Sequence, residues 1–143
     1  LTQQNLSYVM CYYTEEYNFE LIREAFLRIF LCAFHGASSC QAVMTDQGFH
    51  TGPVIAALAV YDTGPHAYGT GISNHNSGDS VTKALDMALE NANRVGEVPN
   101  LILLHATPGQ EESIIASIDE RFGTLIPIIG GSAADNNIAG NGL

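Results

Sequence analysis

Basic residues are scarce. Lys and Arg number 5 against 15 Asp and Glu in a chain of 143, and the formal net charge is −10. No basic stripe exists to neutralise phosphates, which argues against nucleic acid as a partner and equally against an anionic membrane surface. Long apolar runs are also missing, since none approaches the roughly 20 residues that a bilayer-spanning helix needs. Cysteines are few and odd in number: Cys11, Cys32 and Cys40, with no C-x-x-C spacing. That pattern argues against a disulfide framework or a cysteine zinc site and points to reduced thiols in a cytoplasmic protein. Cys11 and Cys32 lie in apolar runs and read as small core residues, while Cys40 reads as a bystander rather than a nucleophile. The N-terminal LTQQNLSYVM has neither a basic n-region nor an initiator Met, so no signal peptide is expected there. The chain reads as a fragment of a longer protein.

What is present is a core. Hydrophobic residues make up 46% and charged residues 14%, which suits one globular domain over residues 1–143. LSYVMCYY (6–13) reads as a buried strand. A helix is expected after it, capped by Asn18, with Leu21, Ile22, Ala25, Phe26 and Ile29 on its buried face. The apolar AF before HGASS is a short second strand. PVIAALAVYD and HAYGTGIS are two more, joined by the turn DTGP and so expected to pair antiparallel. Residues 80–95 carry the clearest helical stripe, Val81, Ala84, Leu85, Ala88, Leu89, Ala92 and Val95, with Asp79 or Ser80 as cap and Gly96 as stop. NLILLHAT is a buried strand with TPGQ as its exit turn. The next helix has Glu111 and Glu112 in its first turn and Ile114, Ile115, Ile118 and Phe122 on its buried face, and Gly123 ends it. LIPIIGG is the last strand. The order β-α-β-β-β-α-β-α-β implies an α/β fold, with a mixed β-sheet flanked by helices.

Two stretches echo each other. NLSYVMCYYTEEYNFELIREAFLRIFLCAFHGASS and NLILLHATPGQEESIIASIDERFGTLIPIIGGSAA each read strand, acidic helix start, helix, apolar strand, then G-x-S and small residues. They are expected to form two related β-α-β units, with Gly36 and Ser38 standing where Gly130 and Ser132 stand. One departure is that Gly123-Thr124 separates helix from strand in the second copy, while RIFLCAFHG has no turn residue in the first. Small residues at the carboxyl ends of parallel strands let a ligand approach the backbone. Ser and Asp add groups that orient a polar ligand. Gly36, Ser38, Ser39, Gly130, Gly131, Ser132 and Asp135 are therefore the candidate ligand-binding residues, read as loops at the strand ends. Tight packing of strand ends is the competing explanation for any single one of them.

Catalytic signatures do not fit. IGGSAAD lacks the G-K-S/T of a P-loop, and GGSAA lacks the last glycine of a G-x-S-x-G elbow. Gly69 and Gly71 of YGTGIS have no third glycine in register. A Ser-His-Asp set can be written down from Ser132, His105 and Asp135, but geometry defines a triad, not inventory. Of the five histidines none sits i, i+4 from another on a helix, which argues against a dedicated metal site. A haem needs only one axial histidine, and His35 or His75 would be the candidate.

NLILLHATPG, the helix after it and IPIIGGSAADN, together with HGASS and the later strand PVIAALAVYD, resemble the N-terminal part of the FIST sensory domain. The resemblance covers most of the chain. It implies a non-catalytic, cytoplasmic signal-transduction domain that binds a small polar ligand, amino acids being one class. It also implies a C-terminal FIST region, absent from this chain, and an output module such as a chemoreceptor, a kinase or a cyclic-dinucleotide enzyme. No cofactor is implied, except in a haem-binding, nitric-oxide-responsive branch that forms the alternative reading. A hydrolase or transferase ranks third.

Overall fold

A computed structural model describes residues 6–62, 66–73 and 78–134. Their elements run β1 (Leu6–Thr14), α1 (Phe19–Ile29), β2 (Ala33–Ser39), β3 (Ala42–Thr45), β4 (Gly48–Thr51), β5 (Ile55–Tyr61), α2 (Gly78–Asn91), β6 (Ile102–Ala106), α3 (Glu111–Phe122) and β7 (Ile128–Ser132). The α/β class and the mixed sheet are as expected. The chain divides into two compact units, one holding the described residues up to Asp62 with Ala133 and Ala134, the other running from His66 to Ser132.

In the first unit β1 is the middle strand of a sheet ordered β2-β1-β5, parallel to β2 and antiparallel to β5. A middle strand has neighbours on both edges, so its apolar side chains bury deepest. Val9 is 1% exposed and Cys11 3%, and full burial of a valine contributes about 2 kcal/mol. Thr14 is wholly buried, yet its hydroxyl accepts from Val54 N–H at 3.0 Å and lies within donating distance of the Gly52 and Val54 carbonyls. That polar satisfaction ties the end of β1 to the entry of β5.

Asn18 caps α1 as expected, its side-chain oxygen accepting from the backbone N–H of Glu20 (2.9 Å) and Leu21 (3.1 Å). The face of α1 is rotated from the expected one. Leu21, Ala25 and Ile29 are exposed, and the half-buried line is Ile22, Phe26 and Phe30. Those three are spaced i, i+4, i+8, and Phe26 stacks near both Phe30 (5.2 Å) and Phe34 of β2 (5.7 Å). Aromatic contact with the neighbouring strand thus sets the rotation. Residues 42–51, a polar segment by sequence, form an antiparallel hairpin instead. Thr45 pairs with Gly48 around Asp46-Gln47, with Gly48 at φ 122 and Gln47 N–H donating to the Thr45 hydroxyl.

The second unit corrects one expectation. HAYGTGIS contributes no strand among its described residues, 66–73, and β5 pairs with β1 rather than with it. The reason lies in its glycines. A Cβ at Gly69 would overlap the Ala88 carbonyl oxygen of α2, and one at Gly71 the Ala84 oxygen. The segment lies directly on the helix backbone, lashed by Asn91 Nδ2 donating to Thr70 O (2.7 Å) and Arg94 Nε to His66 O (3.3 Å). Residues 63–65 of the expected DTGP turn lie outside the described residues.

Helix α2 also stops earlier than Gly96. Asn93 takes φ 54, Arg94 N–H donates to Leu89 O and Asn93 N–H to Glu90 O, which is a Schellman ending with asparagine in the left-handed position. Val95 consequently falls beyond the helix and is 74% exposed. The end of α3 is as expected, with Gly123 at φ 81. Its face is narrower than expected: Ile118 is buried and Ile114 and Phe122 half-buried, but Ile115 is exposed. Arg121 joins α3 to α2, pairing with Asp86 and donating to Thr82 O.

Candidate functional site

Both expected β-α-β units are present. β1-α1-β2 and β6-α3-β7 each close with a parallel strand pair. The candidate residues are not in loops, however. Gly36, Ser38 and Ser39 lie inside β2, and Gly130, Gly131 and Ser132 lie inside β7. Pairing with the partner strand runs through the small residues to the strand ends, Thr14↔Ser39 in one pair and Ala106↔Ser132 in the other. Asp135 lies outside the described residues, as does His75.

The glycines divide by what excludes a side chain. Gly36 sits opposite Cys11, and a Cβ there would lie 2.7 Å from the Cys11 oxygen. Gly130 sits opposite Leu104, takes φ 146, and its Cβ would overlap the Leu104 oxygen. Both are required by close approach of paired backbones. Gly131 differs, for no described residue lies within 4 Å of a Cβ placed on it, and its φ is outside the left-handed region. Among the described residues neither packing nor conformation demands glycine there.

The serines divide similarly. Ser39 donates its hydroxyl to Ala42 O, which closes the turn into β3. Ser38 accepts through its carbonyl from Ala134 N–H at 3.1 Å, a bond within the first unit. Ser132 donates to the Glu111 carboxylate at the start of α3. This bond, ahead of the backbone N–H groups around it, holds Glu111 below its ordinary carboxylate value. Glu111 was not among the residues expected at this strand end, although a signal existed. It follows the exit turn of β6, and a parallel partner strand must end beside that turn.

His105 pairs with Gly131 and Ala106 with Ser132. Successive side chains alternate between faces, so Ser132 and His105 lie on opposite faces of the β6–β7 pair. The triad written down from sequence is not assembled. Burial holds His105 below its ordinary imidazole value, which keeps it neutral. On β2, His35 Nδ1 lies 3.3 Å from the Tyr8 hydroxyl. Burial first, and the Tyr12 charge second, push Tyr8 up to about 12, so it stays a neutral phenol. The pair orients the His35 ring, as any hydrogen bond to an imidazole nitrogen does. Cys11 is pushed up to about 11 by burial and stays a thiol, consistent with a core role. Among the described residues no three His, Cys, Asp or Glu side chains gather as a metal site, and no helix is long and apolar enough to cross a membrane.

Residues 7–142 match the sequence profile of the FIST N domain. No curated protein and no solved structure matches the chain.

Proposed function

We infer the function from one fact: this chain belongs to the FIST family, a family of sensory domains in signalling proteins. It is a cytoplasmic sensor that binds a small polar ligand without transforming it. In each unit by itself the candidate ligand contacts are the small residues that end the parallel strand pair, Gly36, Ser38 and Ser39 on β2 in the first and Gly130, Gly131 and Ser132 on β7 in the second, with Asp135 following in sequence. Binding is relayed through a C-terminal FIST region to an output module of the kinase, chemoreceptor or cyclic-dinucleotide type. The match across residues 7–142 carries the sensory reading. The Ser132–Glu111 pair beside the uncrowded Gly131 supports the place. A hydroxyl and a carboxylate at one strand end suit a ligand with a donor group such as an ammonium.

A thermal-shift screen of the twenty amino acids and common metabolites tests this. A binder at a hundred times its Kd stabilises by about 2.7 kcal/mol, well within detection. No stabilisation by any of them would sink the reading. A haem titration runs beside it, because a Soret band lost on His35→Ala would replace the metabolite reading with a gas sensor.

A further inference from the structure

We propose that the outer edge of β5 is an interaction surface for a second copy of this chain, the two β5 strands pairing antiparallel across a two-fold axis at Leu58. Such pairing needs neither ligand nor output module. β5 is an outer strand of the sheet β2-β1-β5. Its inner edge meets β1 in the register Tyr13↔Ile55, Tyr12↔Ala56, Cys11↔Ala57 and Met10↔Leu58. Immediately beyond Tyr13↔Ile55, Thr14 N–H donates to Val54 O at 3.1 Å. Bonding alternates along an antiparallel pair, so Ala56 and Leu58 turn their backbone groups to β1, while Ile55, Ala57 and Ala59 turn theirs outward. Among the described residues no strand and no backbone group takes up that outer row. The other edge of the sheet is engaged, since the Ser38 carbonyl of β2 accepts from Ala134 N–H.

A row of unbonded N–H and C=O groups is a template for another strand, and edge strands are ordinarily guarded by a charge, a proline or a bulge. β5 reads IAALAVY, with no charged residue and no proline. The irregularity in its pairing with β1 lies between Leu6 and Tyr8, on the β1 side. Three features select a second copy as the occupant. The register centred on Leu58 overlaps all 7 residues of the strand, and in it the outward-turned Ala57 and Ala59 oppose each other and exchange N–H···O bonds. That register also covers the side chains that water still reaches. Leu58, 56% exposed, meets itself, and Ile55 (41%) meets Tyr61 (48%), a β-branched residue with an aromatic one. The third feature is charge. Each chain carries −10, so two copies repel, yet no charge opposes another here, because Asp62 falls opposite the other copy's Val54. Two three-stranded sheets thereby join into one of six strands, a common size, and the self-complementary contact closes at two copies.

The test is sedimentation equilibrium of the full chain from micromolar to near-millimolar concentration. A monomer–dimer equilibrium is expected, and salt should favour the dimer by screening the repulsion between two acidic chains. Leu58→Lys sets two like charges at the axis and should weaken the dimer at least about tenfold. Ala57→Pro removes an outward N–H while sparing the ladder to β1, and should do the same. Leu58→Cys should link two copies on mild oxidation, because residues opposed in a non-hydrogen-bonded pair lie within disulfide reach. Ala56→Cys, opposite the other copy's Val60, should not, and the unaltered chain gives the baseline for Cys11, Cys32 and Cys40. Should the variants fail to fold, hydrogen exchange of the unaltered chain replaces them, with the Ala57 and Ala59 amides gaining protection as concentration rises. A chain that stays monomeric throughout overturns the proposal, as does a dimer that survives both Leu58→Lys and Ala57→Pro. Equal protection of those amides at every concentration also overturns it, by assigning the edge to another part of the same chain. So does growth beyond two copies into open-ended assemblies. Every one of these outcomes leaves the sensory reading standing.

Discussion

The two β-α-β units share a plan and differ in what their second strand tolerates. In each, the glycine of G-x-S faces a carbonyl oxygen of the first strand, that of Cys11 for Gly36 and of Leu104 for Gly130. Gly36 has an ordinary φ, whereas Gly130 sits at φ 146 and admits no Cβ at all. The helices differ as well. α1 is capped by a side chain and runs through Phe30 into β2 with no glycine, whereas α3 has no side-chain cap and leaves through Gly123. The first unit invests in its helix entry and the second in its exit. One arrangement of elements can thus be held by different local devices, which is why the echo in sequence is partial.

Substitutions separate these devices. The largest effect is expected for Gly130→Ala, which meets both overlap and an unfavourable φ. A loss on the order of 3–5 kcal/mol in denaturant unfolding, or outright failure to fold, is expected. Gly36→Ala meets only a close oxygen and should cost about 1–3 kcal/mol in the same measurement. Equal losses at the two sites would show that the contrast in φ has no energetic weight. Asn18→Ala should cost about 1 kcal/mol, and Gln110→Ala close to nothing, because only the first side chain accepts from its helix.

Acid should also tell the units apart. His105 has its folded pKa lowered, so the unfolded chain binds the proton more readily and stability falls as pH drops below the ordinary 6.5. Hydrogen exchange should show β6 and β7 losing protection with acidification before β1, and His105→Gln should remove that difference. The smallest effect belongs to Glu111. Its lowered pKa favours the folded state above the ordinary carboxylate value, a contribution lost as pH falls through the folded value. Ser132→Ala should raise the Glu111 pKa in a carboxyl NMR titration and change the melting temperature little.

Much of this was legible in the chain. Period and capping located α1 and α3, and the apolar stripe located α2, although α2 starts at Gly78 so that the expected caps Asp79 and Ser80 fall inside its first turn. The parallel pairs were legible through the echo. What failed was non-local. HAYGTGIS has a strand's composition, but Gly69 and Gly71 answer to Ala84 and Ala88, and glycine spacing alone does not reveal which backbone approaches. The β3–β4 hairpin was hidden because Met44 and Phe49 face water at 79% and 71% exposure, so alternation there lacks the usual polar outer face. GASS and IGGS read as loops because small residues mark turns more often than they mark strands pressed together.

The segment lying on α2 works as a vernier. Two residues of extended chain advance about 6.6 Å and four residues of helix about 6 Å. Gly69 against Ala88 and Gly71 against Ala84 therefore nearly coincide, and further pairs would drift apart by about 0.6 Å per step. Such a scale reads one alignment only. Inserting a single residue into α2 between Ala84 and Ala88 would turn one alanine about 100° away from its glycine. The two glycines thereby fix the rotational setting of α2, and with it the side on which Asp86 presents itself to Arg121.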